Sequence, residues 1–293
     1  MSIFLTGSSG FVGVSVVSYF GRNSIIQYKR GDVFKIDSAS TVIHLAGKAH
    51  DLKITSNSDE YYQVNTVLTQ KVFDAFLASE AQVFITLSSV KAVADQVEGK
   101  LSEQHHPNPS THYGKSKLLA EQYIFSKEIP EGKRVYVLRP CMIHGSGNKG
   151  NLNLLYKLVS KKIPWPLGAF ENKRSYCSID NLMFILKELI QREDIPSGIY
   201  NVADDHPLST NELISLIAES KDRKPKVWKI SKGFIEGVAL VGDKLDLPLN
   251  SERLQKLTSS YVVSNSKIKA AIGKPLPVSS NEGMLKTFLS FNS

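Results

Sequence analysis

The chain meets a glycine-punctuated turn almost at once. Thr6-Gly7-Ser8-Ser9-Gly10-Phe11-Val12-Gly13 separates the apolar run Ile3–Leu5 from a helical pattern over Phe11–Phe20. A strand that passes through such a turn directly into a helix opens a parallel α/β unit. Gly7 permits the tight turn, Gly10 lets the backbone approach a pyrophosphate, and Gly13 lets the helix pack against the sheet. The N-terminus of that helix then faces the anion. Ser9, Phe11 and Val12 of the same turn are counted with the three glycines as candidate dinucleotide contacts.

The rest of the chain continues the alternation. Ile25–Tyr28, Thr41–Leu45, Gln82–Leu87, Arg134–Leu138 and Gly198–Val202 read as strands with little alternation of polarity, as in a parallel sheet. Glu60–Ala78 places Tyr61, Val64, Leu68, Val72 and Phe76 at helical spacing, and Tyr113–Ser126, Asn151–Lys161 and Asn181–Gln191 also read as helices. Ser209-Thr210-Asn211-Glu212 is a capping box that opens another. The expected fold is α/β: a Rossmann-like doubly wound parallel sheet with a smaller C-terminal lobe that binds substrate. The first domain is expected over 1–145 and the lobe over 146–293, with Arg174–Ile179 extended and with Asp180 and Tyr200–Val202 returning to the first domain. Only about a dozen residues separate Tyr28 from Thr41, while a crossover with its helix needs ~10–12 for the connection alone. One strand-helix unit is therefore expected to be trimmed there.

The net charge of +8 is spread along the chain without a block of like charge, which points to a solvated basic surface and an anionic small molecule rather than to nucleic acid. No apolar run approaches the roughly 20 residues that cross a bilayer, so no membrane insertion is expected. The first residues are too short for a signal peptide and read as a strand, and a cytoplasmic location is expected. Cys141 and Cys177 are expected as free thiols. His144 follows Cys141 by three residues, but no second ligand pair appears at metal spacing, so no metal is expected.

Where a dinucleotide fold usually places an acid, at the end of the second strand, this chain has Tyr28-Lys29-Arg30. Lys29 and Arg30 suit a 2′-phosphate and favour NADP(H), and Asp32 keeps NAD(H) open. Tyr113 and Lys117 stand four residues apart and share one helical face. An ammonium beside a phenol lowers its pKa, so Tyr113 is expected to exchange a proton near neutral pH. Ser88-Ser89 ends a strand at the carboxyl edge where open sheets bind ligands.

Singly, these are a surface pair and a turn. In order, the glycine turn, His44-Leu45-Ala46-Gly47, Val64-Asn65, Ser88-Ser89, Tyr113 with Lys117, and Leu138-Arg139-Pro140 resemble the extended short-chain dehydrogenase/reductase (NAD-dependent epimerase/dehydratase) family. His144-Gly145-Ser146-Gly147, Arg174-Ser175-Tyr176 and Tyr200-Asn201-Val202 extend the resemblance through nearly the whole chain. It implies a catalytic set in which Tyr113 is the acid/base, Ser89 orients the sugar oxygen, and Lys117 tunes Tyr113 and holds the nicotinamide ribose. It also implies that Leu45, Ala46, Gly47, Asn65 and Pro140 line the cofactor. Ser89, Asn151, Arg174 and Arg253 would contact a UDP-sugar. The chain departs from the family at His144, where Tyr is common, and at Val90-Lys91-Ala92 after Ser89.

The stretch Pro164-Trp165-Pro166-Leu167-Gly168 through Arg174-Ser175 resembles bacterial O-antigen and capsule enzymes. The activity this implies is an NAD(P)H-dependent reduction of the C4 ketone of a UDP-4-keto-6-deoxy-N-acetylhexosamine, with UDP-hexose 4-epimerisation as the alternative. Val90-Lys91 replaces the Asp-Glu of a 4,6-dehydratase. A homodimer is left open.

Overall fold

β1 (Ile3–Thr6) runs through the glycine turn into α1 (Phe11–Phe20), and β2 (Ile25–Gln27) and β3 (Thr41–His44) follow. Next comes a helix in three pieces: α2 (Ser58–Tyr61), a π-helical stretch Tyr62–Val67 and α3 (Leu68–Leu77). β4 (Val83–Leu87), the short β5 (Lys100–Leu101), α4 (His112–Phe125), β6 (Arg134–Pro140) and β7 (Met142–His144) complete the first half. The second half runs α5 (Asn151–Ser160), β8 (Tyr176–Ser178), α6 (Ile179–Gln191), β9 (Gly198–Val202) and α7 (Thr210–Glu219). α8 (Lys232–Leu245), α9 (Ser251–Thr258), β10 (Val262–Val263), α10 (Ser266–Ile272) and α11 (Ser280–Leu289) end it. This computed structural model describes residues 1–29, 31–48, 58–148, 150–245 and 250–291, and of Asn151 the backbone only.

Six strands form one all-parallel sheet in the order β2-β1-β3-β4-β6-β9, so the doubly wound α/β reading holds. β1 and β3 are buried throughout, as strands covered on both faces must be. Phe4, Val42, Phe84 and Val135 face one layer with Phe73 and Phe76 of α3. Leu5, Ile43, Ile85 and Leu138 face the other with Leu182, Ile185 and Leu189 of α6. β9 adds Tyr200–Val202 to the sheet beside β6, as expected from the sequence. Chain order reverses between β1 and β3, and an open sheet binds its ligand at the carboxyl end of such a switch point.

The connection from β2 to β3 carries no helix among its described residues. Its side chains do the covering instead. Tyr28 and Phe34 lie 4.9 Å apart and both contact Phe4, at 6.1 and 6.4 Å, while Ile36 and Ala39 are buried beneath them. The trimmed unit is thus replaced by an aromatic loop.

The single helix expected over Glu60–Ala78 is interrupted. The π-helical stretch widens the turn at Tyr62–Val67 and leaves Asn65 and Thr66 buried. Elsewhere the local signals hold. Ser209 accepts from Glu212 N while the Glu212 carboxylate accepts from Ser209 N, closing the capping box. Thr111 caps α4 by accepting from Gly114 N at 3.1 Å.

Arg139 of β6 and Glu121 of α4 form an ion pair with 3% side-chain exposure on each partner. Removing one partner leaves a buried charge alone, whereas replacing both with apolar residues does not. Glu121→Ala is expected to destabilise the fold by about 3–5 kcal/mol in urea denaturation, and Glu121→Met with Arg139→Met to recover most of that. Equal loss in the single and double variants would remove the pair's assigned role.

Candidate active site

The turn after β1 is shaped by contact as well as by torsion. Gly7 sits at φ +71°, and a Cβ there would lie 2.6 Å from Ala46 N. A Cβ on Gly13 would lie 2.1 Å from Gly7 O, so α1 presses directly on the turn. Gly10 is the N-cap, and the first turn of α1 has neither a side-chain cap nor an acid. Its leading N–H groups, on Phe11, Val12 and Gly13, thus point outward without a protein cap, an arrangement that suits a pyrophosphate. Ser9 is exposed beside them.

The loop Leu45-Ala46-Gly47 leaves β3 at the same edge and is fixed from below. Ala46 N donates to Thr6 Oγ1 at 3.1 Å, and the Thr6 hydroxyl meets His44 Nδ1 at 2.7 Å. On the other side His44 Nε2 meets Thr69 Oγ1 at 2.9 Å, and Thr69 donates onward to Asn65 O. Because Thr69 uses its proton on Asn65, His44 donates from Nε2 and accepts at Nδ1. Burial, with the Lys117 charge second, pushes His44 down to about 3, so the ring is neutral. Asn65 accepts from Lys48 N at 2.8 Å and donates to Lys48 O and to Ser116 Oγ, both at 3.1 Å. A Cβ on Gly47 would lie 3.1 Å from Asn65 Oδ1 and 3.2 Å from Lys117 Nζ.

Ser89, Tyr113 and Lys117 converge at this edge. The Ser89 hydroxyl hydrogen-bonds the Tyr113 phenol, accepts from Lys91 N at 3.2 Å and caps the short turn Val90–Ala92. Lys117 Nζ donates to Leu87 O at 2.9 Å, and the Tyr113 ring meets Tyr61 edge-on at 6.3 Å. Burial pushes the Lys117 ammonium down to about 8, against the pull of Glu121 one turn further on. Tyr113 differs from the sequence expectation. Burial raises its phenol above the ordinary value, Ser89 acts in the opposite direction, and Tyr61 adds to the rise. The expected net lowering is not found, because burial is the largest influence on the phenol. Tyr113 therefore rests in its protonated form.

Of the other candidates, Pro140 is buried at the end of β6 and Lys29 is exposed beyond β2. Arg30 and the Asn151 side chain lie outside the described residues. Arg174 is half-buried and braced: Nε donates to Ser259 O at 3.0 Å, and Nη2 donates to Lys256 O at 2.6 Å and Ser259 Oγ at 2.8 Å. It thereby holds the C-terminal end of α9, the helix whose first turn presents an exposed Arg253. His144 is buried between Thr287 Oγ1 at 2.9 Å and Asp204 Oδ2 at 3.3 Å, a tie to α11 rather than a group at the catalytic edge.

Motif reading passed over Lys91. Its ammonium lies 4.4 Å from the Tyr261 ring centre and donates to Asp95 O, two residues beyond Ser89. Burial lowers it, Asp95 acts against that, and Arg174 adds to the lowering. Lys91 and Arg174 thus form a cationic side to the Ser89 loop. The departure from the family pattern at Val90-Lys91 was the available signal.

The contact between Gly13 and Gly7 gives a direct test. Gly13→Ala is expected to weaken NADH or NADPH binding at least tenfold, about 1.4 kcal/mol, by calorimetry. Unchanged affinity would place the dinucleotide elsewhere.

The UDP-glucose 4-epimerase of Vibrio cholerae is 30% identical to the chain over an alignment 322 positions long, covering 99% of this chain and 95% of that protein. An N-acetyl-alpha-D-glucosaminyl-diphospho-ditrans,octacis-undecaprenol 4-epimerase of Escherichia coli O157:H7 is 28% identical over 76% of this chain and 73% of its own length. The solved UDP-N-acetylglucosamine 4-epimerase of Bacillus cereus superposes with a TM-score of 0.77 over 100% of both chains at 19% identity, a likeness of fold. The sequence profile of the NAD dependent epimerase/dehydratase family matches residues 27–203, and with these relatives it shows that the chain belongs to that family.

Proposed function

We propose that the protein carries out redox chemistry at C4 of a UDP-linked hexose with a nicotinamide dinucleotide, and that its reaction is 4-epimerisation. The observation that carries this reading is the end-to-end similarity to the Vibrio cholerae 4-epimerase. The uncapped first turn of α1, the Gly7–Ala46 contact, Gly47 and Asn65 would hold the dinucleotide. When bound it supplies the hydride acceptor and donor. Tyr113 moves the proton at the sugar O4, Ser89 orients that oxygen, and Lys117 holds the ribose. Residues 146–293 act as the substrate lobe, where Asn151, Arg174 and Arg253 meet the diphosphate, and Lys91 lends charge near the Ser89 loop.

A second reading, reduction of a UDP-4-keto-6-deoxy-N-acetylhexosamine, is favoured by β2. That strand ends at Gln27, which accepts from Ser8 Oγ at 3.1 Å, and Tyr28-Lys29 follow with no carboxylate before Asp32. A cation there suits the 2′-phosphate of an exchangeable NADPH. A GDP-6-deoxy-D-mannose reductase of Pseudomonas aeruginosa is also a relative, at 25% identity over 74% of this chain.

Cofactor balance separates the two. An epimerase interconverts UDP-hexose C4 epimers with no net change in nicotinamide absorbance. A reductase consumes about one NAD(P)H per ketone reduced. Epimer interconversion is the expected result, and ketone reduction without it would install the second reading. In either case Tyr113→Phe is expected to lower kcat by ~10²–10⁴ with cofactor affinity retained. The Lys117 ammonium is lost above about pH 8, and Tyr113 keeps its proton well beyond that. The rate is therefore expected to fall on an alkaline limb near pH 8, and a profile flat to pH 10 would remove Lys117's charge from the mechanism.

A further inference from the structure

α8 presents its apolar side outward. It buries Ile235 and Ala239 against Trp165, Leu167, Ile214 and Leu254. Phe234, Val238, Val241 and Leu245 nonetheless stand 63%, 38%, 51% and 65% exposed. Their 4-3-4 spacing gathers them within about 60° of the helix circumference, on a flank whose centre is about 100° from that of the buried side. Leu240, 60% exposed, stands about 100° further round the exposed part of the same helix. Five of the seventeen exposed large hydrophobics among the described residues therefore lie on one helix of 14 residues, a patch rather than scattered singles. A helix packed on a protein in water normally turns a polar face outward.

The charge around this patch has one sign. Residues 221–245 hold seven cations (Lys221, Arg223, Lys224, Lys226, Lys229, Lys232, Lys244) and three acids, a net +4 within a chain of net +8. Of the three acids, Asp243 is already engaged by Ser251 N at 2.9 Å and Ser251 Oγ at 2.6 Å. The segment begins at a cavity of about 380 Å³ whose apolar floor includes Val159 and Ile214 and whose rim includes Lys162, Arg223, Lys224 and Lys226. It then passes through Trp228, 58% exposed, into α8.

We propose that the outer face of α8, with the lysine-rich segment that leads into it, docks the protein on an anionic membrane surface. The apolar stripe enters the headgroup boundary while the lysines meet acidic headgroups. A second copy of the chain is the poorer occupant, because a two-fold contact would bring the same net-positive segments together. The association is peripheral: no helix among the described residues is long and apolar enough to cross a membrane. It does not depend on which sugar nucleotide the catalytic edge takes.

Vesicle co-sedimentation tests this, with Trp228 as an intrinsic reporter. The full chain is mixed with phosphatidylcholine vesicles or with vesicles also holding about 30% phosphatidylglycerol. Binding is expected to be about tenfold stronger on the anionic vesicles, to shift Trp228 emission to the blue and to weaken with salt. Phe234→Ser with Val241→Ser is expected to cut vesicle binding about tenfold while leaving cofactor affinity unchanged. Lys224→Glu with Lys226→Glu, which leaves the apolar stripe intact, is expected to remove the preference for anionic vesicles. Failure of the wild type to bind anionic vesicles, or binding indifferent to both variant pairs, would overturn the proposal. So would a stable dimer by ultracentrifugation that Phe234→Ser with Val241→Ser dissociates, since a second copy would then cover the patch.

Discussion

Asn65 has no exposed surface, and its amide bridges two parts of the site that are distant in sequence. One side closes on both backbone atoms of Lys48, in the loop that follows β3, and the other reaches Ser116 of α4. The loop after β3 and the helix that carries Tyr113 and Lys117 are thereby locked to each other. An unmade hydrogen bond on a buried amide costs roughly 1–3 kcal/mol, so the bridge is held in one arrangement. His44 braces the loop from beneath through Thr6 and Thr69, and it can do so at any ordinary pH because burial keeps it neutral. Gly47 lies in the narrow space between Asn65 and Lys117, which leaves no room for a larger residue without displacing one of them.

Burial around that bridge sets the chemistry. The same desolvation that brings the Lys117 ammonium down to about 8 lifts the Tyr113 phenol, so their proton affinities are driven apart and the phenol keeps its proton beyond the pH at which the ammonium loses one. Ser89 is the group that favours the phenolate. The turn it caps positions Lys91, which joins the Arg174 side of the site. Arg174 in turn fastens the end of α9 through backbone carbonyls, so the charge of that lobe also maintains its shape.

The sheet and its glycine turn were legible because both are local. Apolar runs mark strands buried on two faces, and Gly7 and Gly13 mark places where backbone meets backbone. The grouping of Ser89, Tyr113 and Lys117 was legible from spacing and order. Their protonation was not, because sequence shows that Lys117 is near Tyr113 but not that burial is the largest influence on the phenol. Tyr28, Phe34 and Ile36 could be read only as a connection too short for a helix; that they cover Phe4 is a tertiary fact. Arg174 was legible as a cation but not as a brace, since its partners lie about eighty residues further along the chain.

The wide turn at Tyr62–Val67 hides most completely, because its residues look helical and form a helix of another pitch. Its consequence concerns length. An α-helix rotates by about 100° per residue and a π-turn by less, so removing one residue would rewind this stretch as regular α-helix and turn the side chains within it by up to about that angle. Asn65 could keep its identity and still miss Lys48 or Ser116. Substitutions on the solvent side of the turn leave that winding untouched. What keeps the site assembled here is therefore a residue count as much as a set of residue identities.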